Sequence, residues 1–155
     1  MPEFTESLKA ADNYLMNAQH LTYVTYNIIK DKKVLINVLE NLYKSILYGI
    51  NAVLQAESIL KRVKIYKESS KNLEVFKKIA KQYGLDDKDT QFIDILINII
   101  KKYKESGLVF SKGGKVVIMF EDKILYFDLQ TVKDYIEKSR HINLKIKDKL
   151  GIYAC

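Results

Sequence analysis

Two apolar stripes with the spacing of an α-helix dominate the first 60 residues of the chain. The first stripe steps by three and four residues through Leu8, Ala11, Leu15, Ala18, Thr22, Thr25 and Ile29. The second steps in the same way through Leu35, Leu39, Leu42, Ile46, Gly49, Val53, Ala56 and Leu60. Such a stripe is typical of a helix with one buried face, so we expect helices over about 5–29 and 33–60. The sole proline is Pro2, so no proline interrupts either stripe.

The segment between the two stripes is short and polar, with the sequence Asp31-Lys32-Lys33. A short connection places consecutive helices side by side in opposite directions, so we expect a helical hairpin. The small residues Ala11, Ala18 and Gly49 should allow its two helices to approach closely.

Three further helices are predicted in the rest of the chain. One covers about 70–83 and stops at Gly84, and the next covers about 87–106, with aspartates at its start and lysines at its end. Asp128 can cap a last helix. Its extent past His141 is open, since Ile142, Leu144 and Ile146 alternate like a strand while the spacing of Ile142, Ile146 and Leu150 also fits a helix.

Short β-branched and aromatic runs at Val116–Phe120 and Ile124–Phe127 predict a β-hairpin at about 115–128. Leu108–Phe110 can add a third strand through a turn at Gly113-Gly114. The predicted fold class is therefore mainly α. We expect a single domain, residues 1–155, built as an antiparallel bundle of four to five helices with a small C-terminal β-hairpin or three-stranded meander.

Both faces of this hairpin are apolar, and a small sheet cannot bury both by itself. Either helices of the same chain cover both faces, or another chain completes one of them. The second case favours a homodimer or a docked protein partner. The candidate partner face consists of Val117, Met119, Leu125 and Phe127.

The sequence offers little support for catalysis. A phosphate-binding loop needs a glycine five positions before Gly114 and a hydroxyl after Lys115, and valines occupy both places. His20 and His141 are far apart, and no His-x-x-x-His, Cys-x-x-Cys or Glu-x-x-His spacing occurs. We therefore expect no metal, no cofactor and a non-enzymatic role.

Positive charge is concentrated in the second part of the chain. Residues 1–60 carry five Lys against six Asp or Glu, whereas residues 61–155 carry 21 Lys or Arg against 13 Asp or Glu. The candidate nucleic-acid-binding residues are Lys61, Arg62, Lys64, Lys67, Lys71 and Lys78. Tyr66 and Tyr83 lie among them and could stack on bases. The alternative is a solvated, lysine-rich helix end.

The sequence shows no signal peptide and no apolar run of membrane-spanning length, and Cys155 is its single cysteine. A lone cysteine is typical of a reducing compartment, so we expect a cytoplasmic protein without membrane contact.

The segment SLKAADNYLMNAQHLTYVTYNIIKDKKVLINVLENLYKSILYGINAVLQAE, within residues 5–60, resembles the opening of HEPN-like helical-bundle proteins. Active members of that group cut RNA with an Arg followed four to six residues later by His. Arg62 has no such His, and Arg140 is directly followed by His141. The resemblance therefore implies a non-catalytic member that binds a partner protein or RNA and dimerises.

Overall fold

The computed structural model describes residues 3–106, 108–120 and 123–154, which are mainly helical. The helices are α1 (Glu3–His20), α2 (Tyr26–Ile29), α3 (Lys32–Ile59), α4 (Ser69–Ile79), α5 (Asp87–Ser106) and α6 (Leu129–Ala154). The strands β1 (Leu108–Lys112), β2 (Lys115–Phe120) and β3 (Lys123–Phe127) lie between α5 and α6. A π-helical turn at Leu21–Thr25 joins α1 to α2, and a 3-10 turn at Ala80–Tyr83 follows α4. The predicted helical bundle with a three-stranded meander is confirmed.

The hairpin of α1 and α3 forms as the two stripes predict. Asp31 caps α3 by accepting a hydrogen bond from the Lys33 backbone N–H at 2.9 Å. Ala11 and Ala18 are buried where α1 meets α3. The expected role of Gly49 is wrong, because the atoms nearest to it belong to α6. A Cβ atom at Gly49 would lie 2.9 Å from Asn143 Oδ1, so this glycine allows α6 to approach α3.

The π-helical turn changes which residues of the first stripe are buried. Thr22 is buried, and its hydroxyl donates to the Ala18 carbonyl at 2.9 Å. A π-turn holds more residues than an α-turn, so the stripe no longer returns to the same side of the helix. Ile29 is 59% exposed, and the prediction that it faces the core is wrong. Its neighbour Ile28 is 78% exposed.

The end of α3 is a Schellman motif that has a lysine at its left-handed position. Lys61 has φ of 59°, the Arg62 N–H donates to the Glu57 carbonyl at 2.9 Å, and the Lys61 N–H donates to the Ser58 carbonyl at 2.9 Å. The helix therefore stops at Ile59, and Leu60, predicted to continue the buried stripe, is exposed.

The last helix is continuous from Leu129 to Ala154. Asp128 caps it, since both the backbone N–H and the hydroxyl of Thr131 donate to Asp128 Oδ1 at 2.9 Å. These bonds hold the pKa of the Asp128 carboxyl below its ordinary value. Their contribution to stability is therefore present above the unfolded-state pKa and is lost as the pH falls through the lower folded-state pKa.

The sequence left open whether residues 142–146 form a strand or a helix, and they are helical. Ile142 and Ile146 are fully buried and Leu144 between them is exposed, as the helical spacing requires.

The sheet is an antiparallel meander in the order β1-β2-β3. Gly113 and Gly114, with φ of 57° and 76°, form the turn between β1 and β2 that favours glycine at both positions. The strands β2 and β3 pair so that Val117 is opposite Tyr126, and Phe120 is opposite Lys123. The intervening residues 121–122 lie outside the described residues.

Within residues 3–106, 108–120 and 123–154, no helix combines the length and the apolar character needed to cross a membrane.

Candidate interaction surfaces

One face of the sheet packs on the helices and belongs to the core of the protein. Val116, Ile118 and Phe127 are buried in the main hydrophobic cluster, and Val109 and Leu125 pack against it while half-buried. The strand β2 contacts α5 and α3, so the helices cover this inner face.

The opposite face of the sheet is apolar and open. Five of its side chains are between 36% and 58% exposed: Leu108, Phe110, Met119, Ile124 and Tyr126. Val117 lies among them but is only 1% exposed, and it is outside the main core cluster. Phe110 and Tyr126 stand directly opposite Val117 on the two neighbouring strands, which accounts for its burial. We call these six residues the outer sheet face.

The four residues predicted to form one partner face lie on two opposite faces of the sheet. Val117 and Met119 belong to the outer sheet face, but Leu125 and Phe127 point to the helices. The predicted alternation of faces is correct within β2 and within β3. The error lies in the pairing, because β2 and β3 match odd-numbered residues with even-numbered ones, as Met119 with Ile124.

The outer sheet face carries no charged residue among its six members. Alternation along β1 and β2 places Lys112 and Lys115 on the same side of the sheet, where they pair with each other beside the Gly113-Gly114 turn. The face is therefore uniformly apolar over its centre, with positive charge at one end.

Of the candidate nucleic-acid-binding residues, four lie in the segment between α3 and α4, whereas Lys71 lies in the first turn of α4 and Lys78 near its end. Lys61, Lys64, Lys67, Lys71 and Lys78 are all exposed. Arg62 differs from them, since its guanidinium lies 3.6 Å from the carboxylate of Glu57, a side chain that is only 2% exposed. Arg62 is therefore partly exposed and also forms an ion pair with a buried carboxylate.

Tyr66 lies at the centre of this basic segment and is held in place. The Tyr66 backbone N–H donates to Asn72 Oδ1 at 2.7 Å, and Asn72 Nδ2 donates back to the Tyr66 carbonyl at 2.8 Å. The ammonium groups of Lys64 and Lys71 each lie 5.5 Å from the centre of the Tyr66 ring. An exposed aromatic ring between two cations is a suitable platform for a nucleic-acid base beside its phosphates.

Tyr83, the other predicted stacking residue, does not belong to this surface. It is buried, and its hydroxyl donates to Glu57 Oε1 at 2.7 Å. The prediction that Tyr83 could stack on bases is wrong, because a buried ring presents no face to a ligand.

The interior contains a second buried polar group that the sequence did not indicate. Asn143 of α6 donates to the Ser45 hydroxyl at 2.6 Å, and Ser45 of α3 donates to the Ala11 carbonyl of α1 at 2.7 Å. One chain of hydrogen bonds therefore connects three helices across the core.

The two histidines remain apart. His20 is exposed, and His141 lies 3.7 Å from Asp89 Oδ2, an oxygen that already accepts the Asp86 backbone N–H at the start of α5. In the part of the chain that the structure describes, no three His, Cys, Asp or Glu side chains are grouped so as to hold a metal ion.

In comparisons with known proteins, no protein-family model, no curated protein and no solved structure matches this chain.

Proposed function

We propose that this protein works through protein–protein contact and that two copies pair through the outer sheet face. The observation that carries the proposal is the exposure of a contiguous, uncharged apolar surface on a small sheet. Such surfaces on soluble proteins are usually covered by a partner. The HEPN-like resemblance of residues 5–60 supports it as well, since it implies a non-catalytic protein that dimerises. The reducing cytoplasm is the proposed location, in keeping with the lone cysteine.

A second copy suits this surface because a two-fold interface brings the same patch together with itself. An uncharged patch meets its own copy without repulsion between like charges. Lys112 and Lys115 lie at one end of the patch, so an antiparallel arrangement of the two sheets keeps the lysine pairs of the two copies apart.

The size of the face sets the expected strength of the dimer. Three strands at about 4.8 Å spacing make a patch about 14 Å wide. A standard interface buries about 800 Å² on each partner, so the outer sheet face can supply only its centre. We therefore expect a reversible dimer that dissociates at micromolar concentrations.

Substitution of Met119 by Glu is expected to weaken the dimer by about 100-fold. The change removes an apolar contact, worth about 1.5–3 kcal/mol, that the dimer would bury. It also places a negative charge against the apolar sheet face of the second copy. Analytical ultracentrifugation from about 1 to about 200 µM would measure the dissociation constant.

The control for this substitution is Leu144→Glu, which exchanges an exposed leucine of α6 for the same charge away from the sheet. It should leave the dimer intact. A wild-type protein that stays monomeric throughout the concentration series contradicts the proposal. If Met119→Glu also lowers the folded fraction, Ile124→Glu on the more exposed neighbouring strand replaces it.

Non-specific RNA or DNA binding is the second candidate function, and the Tyr66 ring between Lys64 and Lys71 favours it. The triple substitution of Lys64, Lys67 and Lys71 by Glu should lower the affinity for single-stranded RNA at least about tenfold at low salt. It should also reduce the slope of log K against log salt by about two, since each lost phosphate contact contributes about 0.7. Fluorescence anisotropy across a salt series measures both quantities.

The matched control reverses three exposed lysines elsewhere, Lys88, Lys123 and Lys145. Arg62 stays unchanged in both variants because it pairs with the buried Glu57. Equal affinities of the two triple variants would assign the binding to overall charge, and this surface would lose its role.

A further inference from the structure

A cavity of about 440 Å³ lies between α3, the start of α4 and the second half of α5. Its floor is apolar and is formed by Leu47, Ile50, Leu73, Ile97 and Ile100. A volume of this size is within the range of small-molecule sites, which runs from about 300 to 1,000 Å³. The cavity shares no lining residue with the outer sheet face, and it borders the Tyr66 surface at Asn72, whose side chain hydrogen-bonds the Tyr66 backbone.

The rim of the same cavity is polar and positively charged. Lys101 and Lys104 lie three residues apart on α5, so both project from the same side of the helix. Ser69 and Ser70 of α4 line the opposite wall. Asn51 of α3 contributes an amide.

The two rim lysines are free to meet an anion. Among the described residues, neither forms an ion pair with a carboxylate, whereas Lys77 and Lys147 do so at 2.7 Å. The Lys104 ammonium lies 5.8 Å from the centre of the Tyr43 ring, which keeps this charge at the mouth of the cavity.

We infer that this cavity binds a small amphipathic carboxylate, with the apolar tail on the floor and the carboxylate between Lys101 and Lys104. The volume corresponds to about 15 water-sized groups, which suits a chain of about eight to ten carbons. A carboxylate between the two lysine ammonium groups can accept a charge-assisted hydrogen bond from each, and the hydroxyls of Ser69 and Ser70 and the Asn51 amide offer further donors.

Titration of the ¹⁵N-labelled full-length protein with octanoate tests the inference. We expect saturable shifts of the amides of residues 47–51, 69–73 and 97–104, with a dissociation constant of about 0.1–1 mM. Two probes separate the parts of the ligand. Acetate has the charge without the tail, and 1-octanol has the tail without the charge, so each should bind at least about tenfold more weakly than octanoate.

The paired variant Lys101→Gln/Lys104→Gln should weaken octanoate binding about tenfold, since it removes two charge-assisted contacts. The control Lys81→Gln/Lys88→Gln removes the same charge from exposed lysines that do not line the cavity, and its affinity should equal that of the wild type. All four positions are outside the core, so both variants are expected to fold.

Three results would overturn the inference. The first is shifts confined to residues 108–126, which would mean that octanoate only coats the outer sheet face. The second is equal binding of octanol and octanoate. The third is the absence of saturable shifts up to about 10 mM octanoate, far above the expected dissociation constant.

Discussion

Replacement of Phe76 by Ala is expected to lower the free energy of unfolding by about 3–5 kcal/mol. Phe76 is 0% exposed, and it is the buried residue of α4. Removal of its ring leaves a cavity in the core and also takes away the main attachment of an eleven-residue helix. Urea unfolding followed by circular dichroism at 222 nm measures the loss.

The Phe76→Ala substitution should destabilise α4 in particular, in addition to lowering the stability of the whole protein. The other apolar residues of α4, Leu73, Val75 and Ile79, are only half-buried. In Phe76→Ala, backbone amides of α4 should therefore exchange with solvent faster than those of α3. Val75→Ala is the control, with an expected loss below about 1.5 kcal/mol because its side chain is half-exposed. Equal losses in the two variants would show that Phe76 is not the main anchor of α4.

Replacement of Tyr83 by Phe is expected to cost about 2–3 kcal/mol, a large effect for the loss of one oxygen atom. The Tyr83 hydroxyl donates at 2.7 Å to a carboxylate that is 2% exposed, and the second oxygen of Glu57 has no hydrogen-bond partner. Without the donor, the buried carboxylate keeps its ion pair with the Arg62 guanidinium at 3.6 Å but loses its hydrogen bond from Tyr83. A charge that loses its partner inside a protein is costly.

Tyr135→Phe serves as the matched control, since Tyr135 is half-buried and packs its ring against Phe92 at 5.1 Å between centres. Burial raises the pKa of the Tyr135 hydroxyl, and within the described residues this group donates no hydrogen bond. Loss of the Tyr135 hydroxyl should change the free energy of unfolding by less than about 0.5 kcal/mol.

The double variant Glu57→Leu/Tyr83→Phe should recover most of the stability that Tyr83→Phe loses, because an apolar pair of similar volume leaves no buried charge. A double variant less stable than Tyr83→Phe contradicts this account.

Local signals in the sequence were sufficient for most of the helices and turns. The left-handed glycine at Gly84, the cap at Asp128 and the tight turn at Gly113-Gly114 each depend on the chemistry of one or two residues. The period of the apolar residues then fixed which segments are helical. Such features are predictable because they do not depend on which elements meet in the fold.

The features that the sequence did not reveal depend on contacts between distant segments. Alternation within β2 and β3 does not determine which residues of the two strands pair. A shift of the pairing register by one position moves Leu125 from the outer face to the core side. The buried face of α6 was hidden because Ser139 and Asn143 interrupt its apolar spacing. Asn143 is buried because Ser45, 98 residues earlier in the chain, accepts its hydrogen bond.

Glu57 shows a signal that could have been found. It follows Val53 by four residues, so a carboxylate lies on the buried stripe of α3. A charged residue at such a position implies a buried partner. The identity of the partner, Tyr83, could not be predicted, because it comes from a 3-10 turn on another part of the chain.

The position of α6 has a consequence for how the protein is made. Its fully buried residues Ile142, Ile146 and Leu150 complete the core, and Asn143 meets α3 at Gly49. A ribosome adds about 5–20 residues each second, so the side of α3 that α6 covers remains bare for about 5–20 s after α3 itself has been synthesised. During that interval the nascent chain presents an unfinished apolar groove. Chaperones that recognise such grooves should therefore meet this protein before its translation ends.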